Sequence, residues 1–254
     1  MAARVHVLGC GDAFGAGGRA QTCLLVEASG RRILVDCGAD ALVSMRRAGV
    51  RPESVEGLAI THLHGDHFGG LPFLLLHARH VAGHPSGIHV VGPPGVQAKT
   101  LAALEALYEG ATGSLDSPSG ERPLVRFEEY APRVPFTLGP ARVTAWPVVH
   151  SPRLACHGLR LEVDGRVIAY SGDTAWSDAL LDLSADADLF IVECQAWTAA
   201  PPGHLAFDEL KAHLPSFGAR RIVLTHMGEE MLARAPRVTD DRVLVARDGL
   251  ELEV

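Results

Sequence analysis

The sequence predicts an α/β (α+β) protein in which two sheets pack face to face and are covered by helices, built as a single domain over residues 1–254. Three observations lead there. Short apolar runs of strand length recur throughout, bounded by Gly-rich, Ser-Gly and Pro-containing turns. Stretches with helical apolar spacing fall between strands instead of forming a block of their own. The second half repeats the scheme of the first, and neither a linker composition nor a repeat of about 20 to 50 residues divides the chain.

Taken in order, Arg4 to Leu8, Thr22 to Glu27 and Arg32 to Val35 read as strands. Ala39 to Ala48 reads as a helix that stops at Gly49, and Gly57 to Ile60 as a short buried strand. A helix over Gly69 to about Ala82, a strand at Ile88 to Val91 and a helix at Thr100 to Tyr108 lead into a Gly-, Ser- and Pro-rich loop from Gly110 to Arg122. Strands are expected at Leu124 to Tyr130, Arg142 to Val149, Gly158 to Val163 and Val167 to Ser171. A helix near Asp178 to Leu183, a strand at Leu189 to Glu193, a helix at Ala206 to Leu214 and a strand at Ile222 to Leu224 follow, and the tail alternates apolar residues from Val243 to Val254.

Composition excludes several classes. Apolar residues make up 47% of the chain, too many for a disordered protein, and the 27 Gly and 16 Pro show no collagen-like period. A net charge of −7 argues against a nucleic-acid backbone as the main partner. The five cysteines are odd in number and form no C-x-x-C, so free thiols in a reducing cytoplasm are expected. The run Val7-Leu8-Gly9-Cys10 has too little apolar sequence before it for a secretory leader, and Leu71 to Leu76 is far too short to span a bilayer.

The chemistry is concentrated in His62-Leu63-His64-Gly65-Asp66-His67, an H-x-H-x-D-H motif directly after a buried strand. In extended backbone alternate residues share a face, so His62 and His64 can converge on one cation, while Asp66 and His67 point to a neighbouring position. Imidazole with carboxylate suits zinc, manganese or iron.

This motif resembles that of the metallo-β-lactamase superfamily, and the resemblance covers nearly the whole chain. It implies a four-layer αββα sandwich with metals at one sheet edge. It also implies further ligands: His150 after its strand, Asp173 in Tyr170-Ser171-Gly172-Asp173-Thr174, and His226 in Val223-Leu224-Thr225-His226. One metal would then take His62, His64 and His150, the other Asp66, His67 and His226, with Asp173 bridging. Two divalent ions are implied, zinc first and manganese as the alternative.

Ligand identities narrow the branch. Asp rather than Cys at 173 disfavours true zinc β-lactamases, and His64 disfavours the di-iron flavoprotein relatives. Only 28 residues follow His226, too few for the helical domain of glyoxalase II-like thioesterases. The opening Leu8-Gly9-Cys10-Gly11-Asp12-Ala13-Phe14-Gly15, continuing to Gly18-Arg19-Ala20-Gln21-Thr22, resembles that of ribonuclease Z-type proteins, with Arg19 on that family's loop arginine and Ala20 where the family has Asn. Glu193 and His204 resemble the segment in which these phosphodiesterases carry a proton-donating histidine, although His204-Leu205-Ala206 replaces their His-Ser-Thr. No basic, Gly-rich arm separates His150 from Asp173, so tRNA is an unfavoured substrate. Small phosphodiesters, above all 3′,5′-cyclic nucleotides, are the expected ones, and the chain resembles compact members of this branch, among them the cyclic-nucleotide phosphodiesterases related to phage anti-Pycsar proteins.

Charge agrees with this reading. Two divalent cations set against Asp66, Asp173 and a bridging hydroxide leave about +1, which matches a phosphodiester monoanion. The implied mechanism is in-line attack by that hydroxide, with His204 protonating the leaving alkoxide and Arg19 holding a phosphoryl oxygen. Asp12 either reaches the substrate or caps its own turn. Asp36 either orients a histidine ligand or is a turn residue before Gly38. The runner-up function is cleavage of a carboxyl ester, lactone or amide on the same scaffold, and a non-catalytic metal or nucleotide binding module stands third. His77, His80 and His84 share a helix face and read as solvated before they read as a further metal site. His6, His89, His157 and His213 read as structural or exposed, and Trp146, Trp176 and Trp197 as core. Related enzymes pair as homodimers, of which the sequence carries no independent sign.

Overall fold

A computed structural model describes residues 2–82, 87–115 and 123–254. Two seven-stranded sheets are present. The first contains β1 (Arg4–Gly9), β2 (Cys23–Ala28), β3 (Arg31–Val35), β4 (Gly57–Ala59), β5 (Ile88–Gly92), β6 (Val125–Glu129) and β14 (Leu250–Glu253), in the order β14-β1-β2-β3-β4-β5-β6. The second contains β7 (Phe136–Leu138), β8 (Ala141–Pro147), β9 (His157–Val163), β10 (Arg166–Tyr170), β11 (Leu189–Glu193), β12 (Arg221–Thr225) and β13 (Val243–Val245), in the order β13-β12-β11-β10-β9-β8-β7. Each sheet is antiparallel in one half and parallel in the other. The parallel pairs require crossovers, and these supply the covering helices.

The helices are α1 (Ala41–Arg47), α2 (Gly65–Phe68), α3 (Leu71–His77), α4 (Val96–Leu107), α5 (Ala179–Ser184), α6 (Phe207–His213) and α7 (Glu229–Arg234). One apolar cluster joins the facing sides of the two sheets, through Val5, Leu24, Ile33, Leu159 and Ile191, to the α5 and α6 side chains Leu180, Leu183 and Leu210. A second packs Leu25, Leu34 and Leu58 of the first sheet against Met45 of α1, Leu71, Leu74 and Leu75 of α3, and Leu104 of α4. The layers are therefore helix, sheet, sheet, helix.

Several boundaries differ from the sequence reading for visible reasons. The helix expected over 69–82 starts at Leu71 with Pro72 in its first turn and becomes π-helical from Ala78 to Ala82. The helix expected from Thr100 begins at Val96, directly after the left-handed Gly95. The alternating tail forms two strands. The turn containing Gly249, at φ +79°, separates β13 at the edge of the second sheet from β14 beside β1 in the first. Three-residue β7 and six-residue α7 are too short to display a periodicity.

The fold gathers six strand ends on one rim. The C-terminal ends of β3, β4, β8, β10, β11 and β12 lead into Asp36, His62, His150, Asp173, Glu193 and His226. The β1–β2 connection, residues 10–22, crosses the same rim, because β1 runs in the direction of β3.

Candidate metal centre

Two donor groups form on this rim. Ring nitrogens of His62, His64 and His150 lie within 4.8 Å of one another, as do donor atoms of Asp66, His67, Asp173 and His226. Asp173 stands between them. Its Oδ2 lies 3.8 Å from Nε2 of both His62 and His150 and 3.4 Å from Nε2 of His226, while Oδ1 lies 3.2 Å from Nε2 of His67. A third combination, His150, Asp173 and His204, satisfies the same distance limit.

Backbone geometry aims these side chains. Gly172 sits at φ +58°, where a Cβ would come within 2.6 Å of the His157 carbonyl, so only glycine turns the chain this way just before Asp173. His226 itself has φ +56°, an unusual conformation for histidine, and its N–H donates to the Cys10 carbonyl at 3.0 Å.

Hydrogen bonds on the far side of three of the rings fix which nitrogen is protonated. The Gly203 carbonyl can only accept, so His150 Nδ1, 2.9 Å away, carries the proton and Nε2 presents a lone pair. His67 Nδ1 donates to Asp36 Oδ2 at 2.7 Å. Thr61 Oγ1 donates to the same Asp36 Oδ2 at 2.8 Å, and therefore accepts from His62 Nδ1 at 3.1 Å. Asp36 is fully buried and serves one ring in each donor group, which resolves its two readings in favour of orientation. Lone pairs of His62 and His150 thus converge near His64 Nδ1, which lies 3.1 and 3.0 Å from them and can donate to at most one.

The fit to a cation follows from this arrangement. Among the described residues, buried His67 Nε2 and Asp173 Oδ1 have no hydrogen-bond partner. Burial, reinforced by the neighbouring His67, pushes His62 well below the ordinary histidine range, so its ring is neutral. Burial opposes ionisation of Asp173, but His226, His67 and His62 outweigh it and hold the carboxyl well below the ordinary range. Asp66 is likewise lowered against its burial, chiefly by His67. Burial also lowers His64, whereas at His67 the charges of Asp173 and Asp36 outweigh burial and hold a proton that a cation bound at Nε2 would displace. Imidazoles combined with ionised carboxylates are the donor set of zinc, manganese or iron sites.

His204 lies beside both groups, its ring 4.8 Å from that of His150 and stacked at 5.5 Å on His226. Nδ1 donates to buried Glu193 at 3.0 Å. Burial lowers the ring's proton affinity, but the bond to Glu193 and its charge exceed that effect, and the His204 pKa rises.

The other sequence-selected residues fall elsewhere. Asp12 Oδ1 accepts from Phe14 and Ala16 N–H at 3.1 and 2.9 Å, so Asp12 caps its own turn. Arg19 Nη1 donates to the Ala246 carbonyl at 2.5 Å and to Cys10 Sγ at 3.3 Å. Among the described residues neither is hydrogen-bonded to a donor-group side chain. His77 Nε2 accepts from Arg46, and His84 lies outside the described residues. His6 pairs with Glu27, His89 with Glu128, and His213 stacks on Trp176. Of the two readings of His157, structural or exposed, the first holds, and its partner Tyr130 carried no signal in the sequence. The Tyr130 hydroxyl, just past β6, lies 2.9 Å from the Ile60 carbonyl, 3.2 Å from that of Thr61 and 3.3 Å from Nδ1 of His157 in β9, so the pair ties the turn before His62 to the second sheet. No period or motif signals such a contact.

Over residues 3–249 the chain matches the family described as Anti-Pycsar protein Apyc1. It belongs to that family. The Anti-Pycsar protein Apyc1 of Bacillus phage BSP38 is 28% identical over 240 residues, covering 90% of each chain. The probable metallo-hydrolase YhfI of Bacillus subtilis (strain 168) is 24% identical over 258 residues, 98% of this chain and 99% of the relative. The crystal structure of YhfI, described as a metallo-β-lactamase fold protein, superposes with a TM-score of 0.79 over 99% of both chains at 22% identity. Ribonuclease Z of Mycobacterium bovis (strain BCG / Pasteur 1173P2) is 27% identical over 277 residues, 98% of each chain. The protein is thus a metal-dependent hydrolase of the metallo-β-lactamase fold, with His and Asp clusters able to bind metal. Among the described residues no helix is long and apolar enough to cross a membrane.

Proposed function

We propose that this hydrolase, acting as one domain over residues 1–254, is a binuclear phosphodiesterase whose substrates are small phosphodiesters, foremost 3′,5′-cyclic nucleotides. His62, His64 and His150 would hold one ion, Asp66, His67 and His226 the other, and Asp173 both, with zinc the first candidate. Bound there, the ions would supply Lewis-acid polarisation of a phosphoryl oxygen and acidify water.

The observation that carries the reading is His204. Expulsion of a ribose alkoxide from phosphorus gains from a positioned proton donor. His204 is within reach of both donor groups, is held at one nitrogen by a buried carboxylate, and retains its proton more strongly than an ordinary histidine. Glu193 positions the ring and keeps it charged, and Asp173 sets the spacing between the two ligand groups. The family's phage members and ribonuclease Z support phosphorus chemistry. All five cysteines are free and buried, which supports a cytoplasmic address.

The test is release of nucleoside monophosphate from a panel of 3′,5′-cyclic nucleotides by metal-loaded protein, beside the Asp173→Ala and His204→Ala variants. Turnover abolished by D173A and reduced ~10²–10⁴-fold by H204A is expected. Two bound metals with no diester turnover, together with ester or lactone hydrolysis indifferent to H204A, would establish the carboxyl-ester reading instead.

A further inference from the structure

Residues 10–22 form an unusual rim loop. Both of its ends touch a donor residue: the Cys10 carbonyl accepts from His226 N–H at 3.0 Å, and Thr22 Oγ1 lies 3.5 Å from His226 Nδ1. A short bridge joins Gly11 to Met227, and Gly17 N–H reaches Glu229 of α7 at 2.9 Å. The loop therefore lies on the His226 side of the centre, the side on which His204 also stacks.

Carboxylates hold this loop almost entirely through its backbone. Asp12 takes the N–H groups of Phe14 and Ala16, Asp40 that of Gln21, and Asp248 those of Cys10 and Ala20 at 3.1 and 2.7 Å. Gln21 Nε2 adds a bond to the Ala13 carbonyl at 2.9 Å. A Gly-rich loop fastened at so many points has little freedom left to lose on binding. At its tip, Phe14 is 94% exposed, the most exposed large apolar side chain among the described residues. Water-exposed phenylalanine on a rigid loop has no stabilising role in the fold, and a ring held in place at low entropy cost is suited to contact a planar partner.

We propose that Phe14 is a specificity-determining contact that stacks on the base of a nucleotide substrate while the phosphodiester lies at the donor groups. This rests on the phosphodiesterase reading for the identity of the substrate, but the contact can be read without turnover. A sequence-tolerant stack would let one site take purines and pyrimidines, since every base has a π face.

The experiment uses metal-loaded protein with 4-fluorophenylalanine at position 14 and follows its fluorine resonance. Adenosine monophosphate should move the signal to saturation, and ribose 5-phosphate should leave it in place. In parallel, Phe14→Leu should raise KM for 3′,5′-cyclic AMP about tenfold with kcat unchanged, Phe14→Trp should restore it, and KM for glycerol 1,2-cyclic phosphate should not respond. A resonance unmoved by adenosine monophosphate, or one that moves only with protein concentration because a second copy covers the ring, overturns the proposal. A resonance that responds to adenosine monophosphate in protein hydrolysing neither diester would uphold the contact and sink the phosphodiesterase reading. Cyclic AMP turnover with F14L kinetics equal to wild type would do the reverse.

Discussion

Asp36→Asn should weaken metal binding at both donor groups, whereas Thr61→Val should weaken only one. Asp36 Oδ2 accepts directly from His67 Nδ1 at 2.7 Å and, through the Thr61 hydroxyl, fixes the proton of His62. Losing the outer partner of a ligating histidine typically costs ~10–100-fold in metal affinity, or ~1.4–2.7 kcal/mol. The direct contact places the His67 group near the upper end of that range, and the relayed contact places the His62 group near tenfold. Asn is chosen because residue 36 has φ +57°, which Asn tolerates, and because it preserves the volume of a fully buried side chain. T61V leaves the Asp36–His67 bond intact and removes only the hydroxyl that His62 uses. The assay is titration of zinc against a chromophoric chelator, resolved into two classes of site, with thermal unfolding of the metal-free variants as the control for global damage. Wild-type affinity at both sites in D36N, or equal weakening of both in T61V, would refute the argument that the carboxylate organises one ring in each group.

Further expectations follow from other contacts. Gly203→Ala, at φ +86° with its Cβ only 2.7 Å from the His150 carbonyl oxygen and 2.9 Å from His150 Nδ1, should displace His150 and cost metal at the His62/His64/His150 group, read by metal content at limiting zinc. Glu193→Gln removes the charge that raises the His204 pKa, so the alkaline limb of the kcat–pH profile should move to lower pH; an unmoved limb would remove His204 as the acid. Burial raises the Glu27 carboxyl, but Arg32 and His6 outweigh it and hold it below the ordinary glutamate value. Its stabilisation is therefore present above ~4.3, the unfolded glutamate value, and is lost as pH falls through the lower folded one. Melting curves should accordingly show Glu27→Gln lowering Tm at pH 7 and flattening its acid decline.

What the sequence revealed follows from where the information lies. Most strands were legible because each is a short buried run closed by a turn, as in Leu189–Glu193, whose five residues are all buried. The donor residues were legible because four are packed into His62 to His67 and the others directly follow or lie just beyond strand ends. The residues that orient them were harder to see, because each is distant in sequence. Gly203 meets His150 across 53 positions and Tyr130 meets Ile60 across 70, through contacts that leave no local pattern. Asp36 was visible only as one of two readings, since a turn aspartate and an orienting aspartate look alike until Thr61 and His67 are brought to it.

The rim loop shows how a loop's polar residues can be used. Arg19 is expected to hold a phosphoryl oxygen because it falls on the loop arginine of ribonuclease Z-type proteins, and Asp12 is expected either to reach the substrate or to cap its own turn. Asp12 is spent on two N–H groups of its own turn, and an Arg19 nitrogen on the Ala246 carbonyl and Cys10. Those bonds make mechanical sense together with Asp40 and Asp248, because a loop with four glycines from Gly11 to Gly18 would otherwise lose much ordering entropy. The polar residues hold the loop against the body, and the one large apolar side chain at its tip is left facing water. Anchoring and apolar exposure are thus divided between the body of the loop and its tip. This is the arrangement expected when the backbone of a loop must stay fixed so that its tip can meet something from outside.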